Sequence, residues 1–184
     1  MITGARQVGK TTLVREFTAQ EYRTLAKVNF FENPLAVQTL ADATNADDLI
    51  LRLSVLTGVS LVPGDTLLFL DEIQECKDML TWMKFLVERS NLDVILSGSL
   101  LGMDAYVQVR SLPVGFLRIV DMYPLAFEKF AKSTGVVPEV WDAMELSVLA
   151  HRAVPGYIHE LLISKFREYL LIGGMVCPMP CRRM

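Results

Sequence analysis

The sequence predicts a three-layer α/β fold: a mostly parallel sheet with helices on both faces, followed by a C-terminal helical segment. Three observations carry this. The apolar runs Leu67–Leu70 and Val94–Leu96 do not alternate with polar residues, as strands covered on both faces do not. Stretches of period 2 and period 3.6 alternate along the chain, the pattern of βαβ units. Near the start, Gly4-Ala5-Arg6-Gln7-Val8-Gly9-Lys10-Thr11-Thr12 fits Gly-x-x-x-x-Gly-Lys-Thr directly ahead of a helical stripe, the spacing of a loop that cradles phosphate.

Taken in order, Met1, Ile2 and Thr3 are all that precede Gly4. A full buried strand is expected there, so the start reads as clipped. Leu13, Val14 and Phe17 stripe one face of the next helix. Arg23–Phe30 reads as a strand, broken where Asn33 meets Pro34. Leu35–Ala43 and Asp47–Leu56 read as short helices, the second stopped by Gly58. Thr66–Leu70 is a buried strand ending in Asp71 and Glu72. Met79, Met83 and Leu86 stripe another helix, with Trp82 and Phe85 expected in the core. Asp93–Ser99 is a further strand, and Val114–Val120 a candidate for one more. Helices are expected over Pro124–Phe130 and Pro138–Val148. A long amphipathic helix carries Ile158, Leu161, Leu162, Phe166 and Tyr169 and closes at Gly173-Gly174.

Composition narrows the function classes. The chain has 184 residues, 52% of them hydrophobic, enough for a buried core rather than disorder. Its net charge of −3 does not support nucleic acid as a dominant partner, though it allows a local basic patch. No apolar run approaches the ~18 residues of a membrane span, and no leader pattern is seen. A cytoplasmic location is expected, since Cys76, Cys177 and Cys181 make no disulfide framework. Those cysteines with His151 and His159 lack the spacing of a zinc site.

The chemistry lies in the polar residues at the strand ends. Gly4 and Gly9 sit where backbone must approach a phosphate closely. The N–H groups of Val8 to Thr11 form a nest for phosphate oxygens, reinforced by the positive end of a helix starting near Lys10. Lys10 would reach the β- and γ-phosphates, and the Thr11 hydroxyl a Mg²⁺ ion. Two acids ending a buried strand form a Walker B pattern, in which Asp71 holds Mg²⁺ and Glu72 activates water. The competing interpretation is a strand feeding an acidic helix start. Ser97, with Ser99 next, could hydrogen-bond the water facing the γ-phosphate; a plain serine-glycine turn is the alternative.

With these residues in hand, the chain resembles an AAA+ superfamily ATPase. It is most similar to a prokaryotic family with a GARQVGKTT P-loop, an LDEIQ Walker B and a C-terminal restriction-endonuclease-like domain of unknown function. The matching pieces are Gly4–Thr12, Leu70–Gln74, Ser97–Gly102, Pro113–Gly115, Asp121–Leu125 and Tyr169–Met175. The resemblance implies ATP and Mg²⁺ as cofactors, ATP and ADP as ligands, and a homo-oligomer as a possible assembly. It ends after Met175, so Val176–Met184 reads as an unrelated tail. The family usually carries a basic residue where Phe116 stands, which removes that candidate for a trans-acting finger; Arg110 and Arg118 lie nearby.

The expected organisation is an ATPase core over 1–122, a helical lid or linker over 123–175 and an unstructured tail over 176–184. The expected function is Mg²⁺-dependent ATP binding and hydrolysis. Two alternatives stand beside it: a nucleotide-dependent switch that hydrolyses little, and a non-functional fragment of a longer ATPase. A P-loop reads phosphates and not the base, so ATP over GTP is not encoded in it.

Overall fold

A computed structural model describes residues 1–76, 78–99 and 117–175. It divides into two compact units, the first being Met1–Met122 and the second starting at Tyr123. Leu100, Gly102, the Pro113–Gly115 piece, Arg110, Phe116 and the tail from Val176 lie outside the described residues, as does most of the Val114–Val120 strand candidate.

The first unit is a three-layer α/β structure. Its strands are β1 (Ile2–Gly4), β2 (Thr24–Asn29), β3 (Thr66–Asp71), β4 (Asp93–Ser99) and β5 (Val120–Met122). Among the described residues they form one sheet in the order β2-β3-β4-β1-β5, every pair parallel. The short β1 is an inner strand, with Ile2 opposite Ser97 on one side and Val120 on the other. The last strand lies further along than the Val114–Val120 pattern suggested, and residues 117–119 are not strand. Pairing with β1 decides its place, and a three-residue edge carries little periodicity of its own.

Helices α1 (Lys10–Glu21), α2 (Pro34–Ala41), α3 (Ala46–Thr57) and α4 (Asp78–Ser90) cover the sheet. Side chains alternate across it, and this sorts the core into two layers. Ala26, Val28, Leu68, Leu70 and Leu96 share one cluster with residues of α2, α3 and α4. Leu67 and Phe69 pack with Val14 of α1 on the other. β3 is buried along its whole length, as its unbroken apolar run requires. Asn33 and Asn45 cap α2 and α3 by accepting from Ala36 N–H and Asp48 N–H.

Two expected stripes are corrected. Leu13 and Phe17 are 49% and 42% exposed; the buried line of α1 is Lys10, Val14 and Thr18. The loop pins the first turn of α1 with Lys10 inward, and this sets the helix rotation against its hydrophobic stripe. Phe85 is exposed too, resting edge-on against the half-buried Trp82.

Cys76 is buried within the larger cluster. Burial pushes its thiol up to about 11, with a hydrogen bond involving Met79 backbone acting in the opposite direction. Only about one molecule in a thousand then carries the thiolate at pH 8. Alkylation of Cys76 by iodoacetamide in the native protein, followed by mass spectrometry, is expected to lag far behind that in urea.

The second unit contains α5 (Phe127–Ser133), α6 (Pro138–Leu149) and α7 (Gly156–Ile172). α5 begins at Phe127 with Ala126 as its cap, so Pro124 precedes the helix rather than opening it. Its core is an aromatic cluster: Phe127 meets the rings of Trp141, Phe166 and Tyr169, and Phe130 also meets Tyr169. Of the α7 stripe only Ile158 is fully buried. Leu125 meets the Tyr169–Met175 piece here. Leu125 N–H donates to Gly174 O at 2.7 Å and Tyr169 Oη to Leu125 O at 3.0 Å. A Cβ on Gly174 would lie 2.1 Å from Leu125 O, so only glycine permits this approach.

Candidate functional site

The site forms at the carboxyl ends of the parallel strands, where open α/β sheets bind ligands. β1 ends in Gly4, and a Cβ there would sit 2.2 Å from Met122 O of β5. Ala5, Arg6, Gln7 and Val8 follow as the loop. Val8 is buried, and Gln7 adopts a left-handed φ of 63°. Gly9 is the cap residue of α1 at φ 101°, and its carbonyl accepts from Leu13 N–H. Arg6 lies over the Phe31 ring, 5.7 Å from its centroid. Thr12 follows in the first turn of α1 and is exposed.

Lys10 is folded back into the loop. Its Nζ donates to Gly4 O at 3.0 Å and Ala5 O at 2.9 Å, and the residue is only 6% exposed. Burial lowers its pKa, partly offset by the nearby Glu72 and Asp71 charges. A buried ammonium at the start of a helix suits an anionic ligand.

Thr11, on the next position of α1, meets β3. Its Oγ1 donates to Asp71 Oδ2 at 3.1 Å. Alternation explains the meeting: Leu67, Phe69 and Asp71 share the sheet face that packs under α1. Asp71 is 4% exposed and, among the described residues, its carboxylate has three partners. Thr11 and Lys27 reach Oδ2, the Lys27 Nζ at 3.2 Å, and the Ser97 hydroxyl donates to Oδ1. A buried carboxylate is tolerated when it is paired and hydrogen-bonded in this way.

Ser97 is wholly buried and its hydroxyl is spent on Asp71. Ser99 lies opposite Gly4 at the end of β4. Glu72, directly after Asp71, turns through a left-handed φ of 54°, and its Oε2 accepts from Gln74 Nε2. The structure therefore brings Gly4, Lys10, Thr11, Asp71 and Ser97 together through direct contacts, with Glu72 adjoining them. Phe116 and Arg110 lie outside the described residues; Arg118 is exposed, its carbonyl accepting from the Met1 amino group.

Lys27 and Gln74 were not singled out from the sequence. The signal for Lys27 is a lone lysine inside a short strand, two positions from its carboxyl end. For Gln74 there was no signal beyond its place in the LDEIQ piece.

Among the described residues no three or more of His, Cys, Asp and Glu gather where a metal could sit. The donor set at hand is the Thr11 hydroxyl and the Asp71 carboxylate. Hard oxygen donors, few in number, fit Mg²⁺ carried in with a nucleotide.

A model of the AAA domain matches residues 1–131. The chain belongs to the AAA domain family. This AAA domain is a nucleotide-binding unit of the ATPase type. A comparison with curated proteins gives no match. Solved structures similar to it include Drosophila ORC bound to DNA, at 17% identity over 94% of this chain and 57% of that one, TM-score 0.45. Aeropyrum pernix ORC1 in complex with DNA has 15% identity over 96% and 56%, TM-score 0.46. Aeropyrum pernix ORC2 in its ADP form has 15% identity over 91% and 62%, TM-score 0.43. The AAA domain chain thus spans less than two thirds of each of these. Among its described residues no helix is long and apolar enough to cross a membrane.

Proposed function

We propose that this AAA domain binds ATP with Mg²⁺ and hydrolyses it by phosphoryl transfer to water. The observation that carries the proposal is the bond from Thr11 on the loop to Asp71 at the end of β3, which joins a phosphate cradle to a carboxylate. The Val8–Thr11 amides and Lys10 bind the phosphates. Lys10 does so by exchanging the Gly4 and Ala5 carbonyls for phosphate oxygens. Thr11 and Asp71 would hold the metal, which when bound would supply charge neutralisation to the phosphates. Glu72 orients the attacking water and accepts its proton. Ser97 was expected to sense the γ-phosphate; its bond to Asp71 supports a positioning role, keeping that carboxylate aimed at Thr11.

A switch with little hydrolysis has one observation in its favour, the engagement of Glu72 by Gln74. The prokaryotic family with an endonuclease-like second domain remains part of the proposal, supported by the Leu125–Gly174 meeting of its two motifs. Self-association is proposed as well, supported by exposed Leu146, Leu149 and Leu171 in the second unit. Net charge alone does not exclude nucleic acid, and two of the similar structures are DNA complexes.

Thermal unfolding with and without Mg-ATP tests the proposal. At a hundredfold excess over Kd, bound ligand adds about 2.7 kcal/mol, which raises the midpoint by roughly 5–10 °C. An unmoved midpoint overturns nucleotide binding. A chain with no cooperative transition is the non-functional fragment.

A further inference from the structure

Asp71 Oδ2 has two suitors. Thr11 Oγ1 reaches it at 3.1 Å from one side and Lys27 Nζ at 3.2 Å from another. Lys27 is well placed to stay. It stands on β2 opposite Phe69, and its ammonium lies 5.8 Å from that ring's centroid. It also has somewhere to go. Lys27 lines a cleft with Asn29, Glu32, Asn33, Val28 and Leu56, where the Glu32 carboxylate offers a second anionic partner.

A divalent cation held by Thr11 and Asp71 would meet the Lys27 charge on the same oxygen. Like charges that close repel strongly in a partly buried site. We propose that Lys27 competes with the metal for Asp71 Oδ2. Loading metal with nucleotide displaces its ammonium toward Glu32, and Lys27 thereby sets the Mg²⁺ concentration at which the domain takes up nucleotide. Lys27 is a positioning residue on this account: it acts through Asp71 and keeps that carboxylate compensated when the metal is away. The inference rests on the nucleotide site proposed above.

The test titrates Mg²⁺ against binding of a fluorescent ADP analogue, in wild type, Lys27→Met and Lys27→Arg. Lys27→Met keeps an unbranched apolar side chain and removes the charge. Its Mg²⁺ midpoint is expected to fall roughly tenfold, while Lys27→Arg stays within about twofold of wild type. Without nucleotide, Lys27→Met is expected to melt earlier than wild type and to gain more from Mg-ADP. Should it fail to fold, Lys27→Gln, which can still hydrogen-bond Asp71, takes its place with the same expected shift. A neutral variant that titrates at the wild-type Mg²⁺ concentration overturns the role of Lys27 alone. Wild-type binding that needs no Mg²⁺ at all overturns the metal reading of Asp71, and this inference with it.

Discussion

Glu72→Gln is expected to keep Mg-ATP bound and to lower turnover by roughly 10²–10⁴-fold, the span of a lost general base. The amide has the shape of the carboxylate but cannot take a proton from water. The local structure tolerates it. Position 72 keeps its left-handed φ of 54°, and an amide oxygen can still accept the Gln74 bond that Glu72 Oε2 accepts now. Phosphate release and equilibrium binding of a fluorescent nucleotide separate the two effects. Unchanged turnover would remove Glu72 from the reaction. Loss of binding as well would mean that Glu72 holds the site together rather than working in it.

Lys10→Ala is expected to weaken nucleotide binding roughly 100-fold, the worth of one or two charge-assisted hydrogen bonds to phosphate. The thermal shift produced by Mg-ATP in wild type should then disappear at the same ligand concentration. The free protein responds differently. Burial lowers the Lys10 pKa from its ordinary 10.5, so the unfolded chain binds the extra proton between the lowered value and 10.5. Stability therefore gains with pH across that window; below it Lys10 adds no pH dependence, and the cost of burying its charge is present in full. In Lys10→Ala this gain is absent. Urea unfolding at two pH values, one below and one inside the window, reads the difference. A variant that still shifts with Mg-ATP would place the phosphates elsewhere.

Much of the fold was legible because it is written in local patterns. The unbroken run Leu67–Leu70 reads as a strand covered on both faces, and β3 is buried throughout. Gly58 marks the end of α3 in a left-handed turn, and the break at Asn33-Pro34 falls where α2 begins. The loop residues Gly4 to Thr12 were legible for the same reason: close approach to backbone leaves few residue types to choose from.

Other features depended on register and on contacts between distant residues. Leu13 and Phe17 form a stripe on paper, yet α1 turns Lys10, Val14 and Thr18 inward because the loop orients its first turn. Ser97 ends an apolar run in the same way whether its hydroxyl meets a ligand or Asp71. Its bond to Asp71 follows from the pairing of β3 with β4. Lys27 reaches Asp71 because β2 and β3 align Lys27 with Phe69 and Asn29 with Asp71, a registration that no period within either strand encodes.

The sequence by itself determined the Gly-x-x-x-x-Gly-Lys-Thr loop, an acidic strand end and a parallel α/β layer, since each follows from residue type and spacing within one element. The tertiary structure alone decided what Asp71 touches, where β5 pairs and how Leu125 meets Gly174. Those are contacts between residues far apart in the chain, and they are settled by which faces and strand ends the packed sheet and helices bring together.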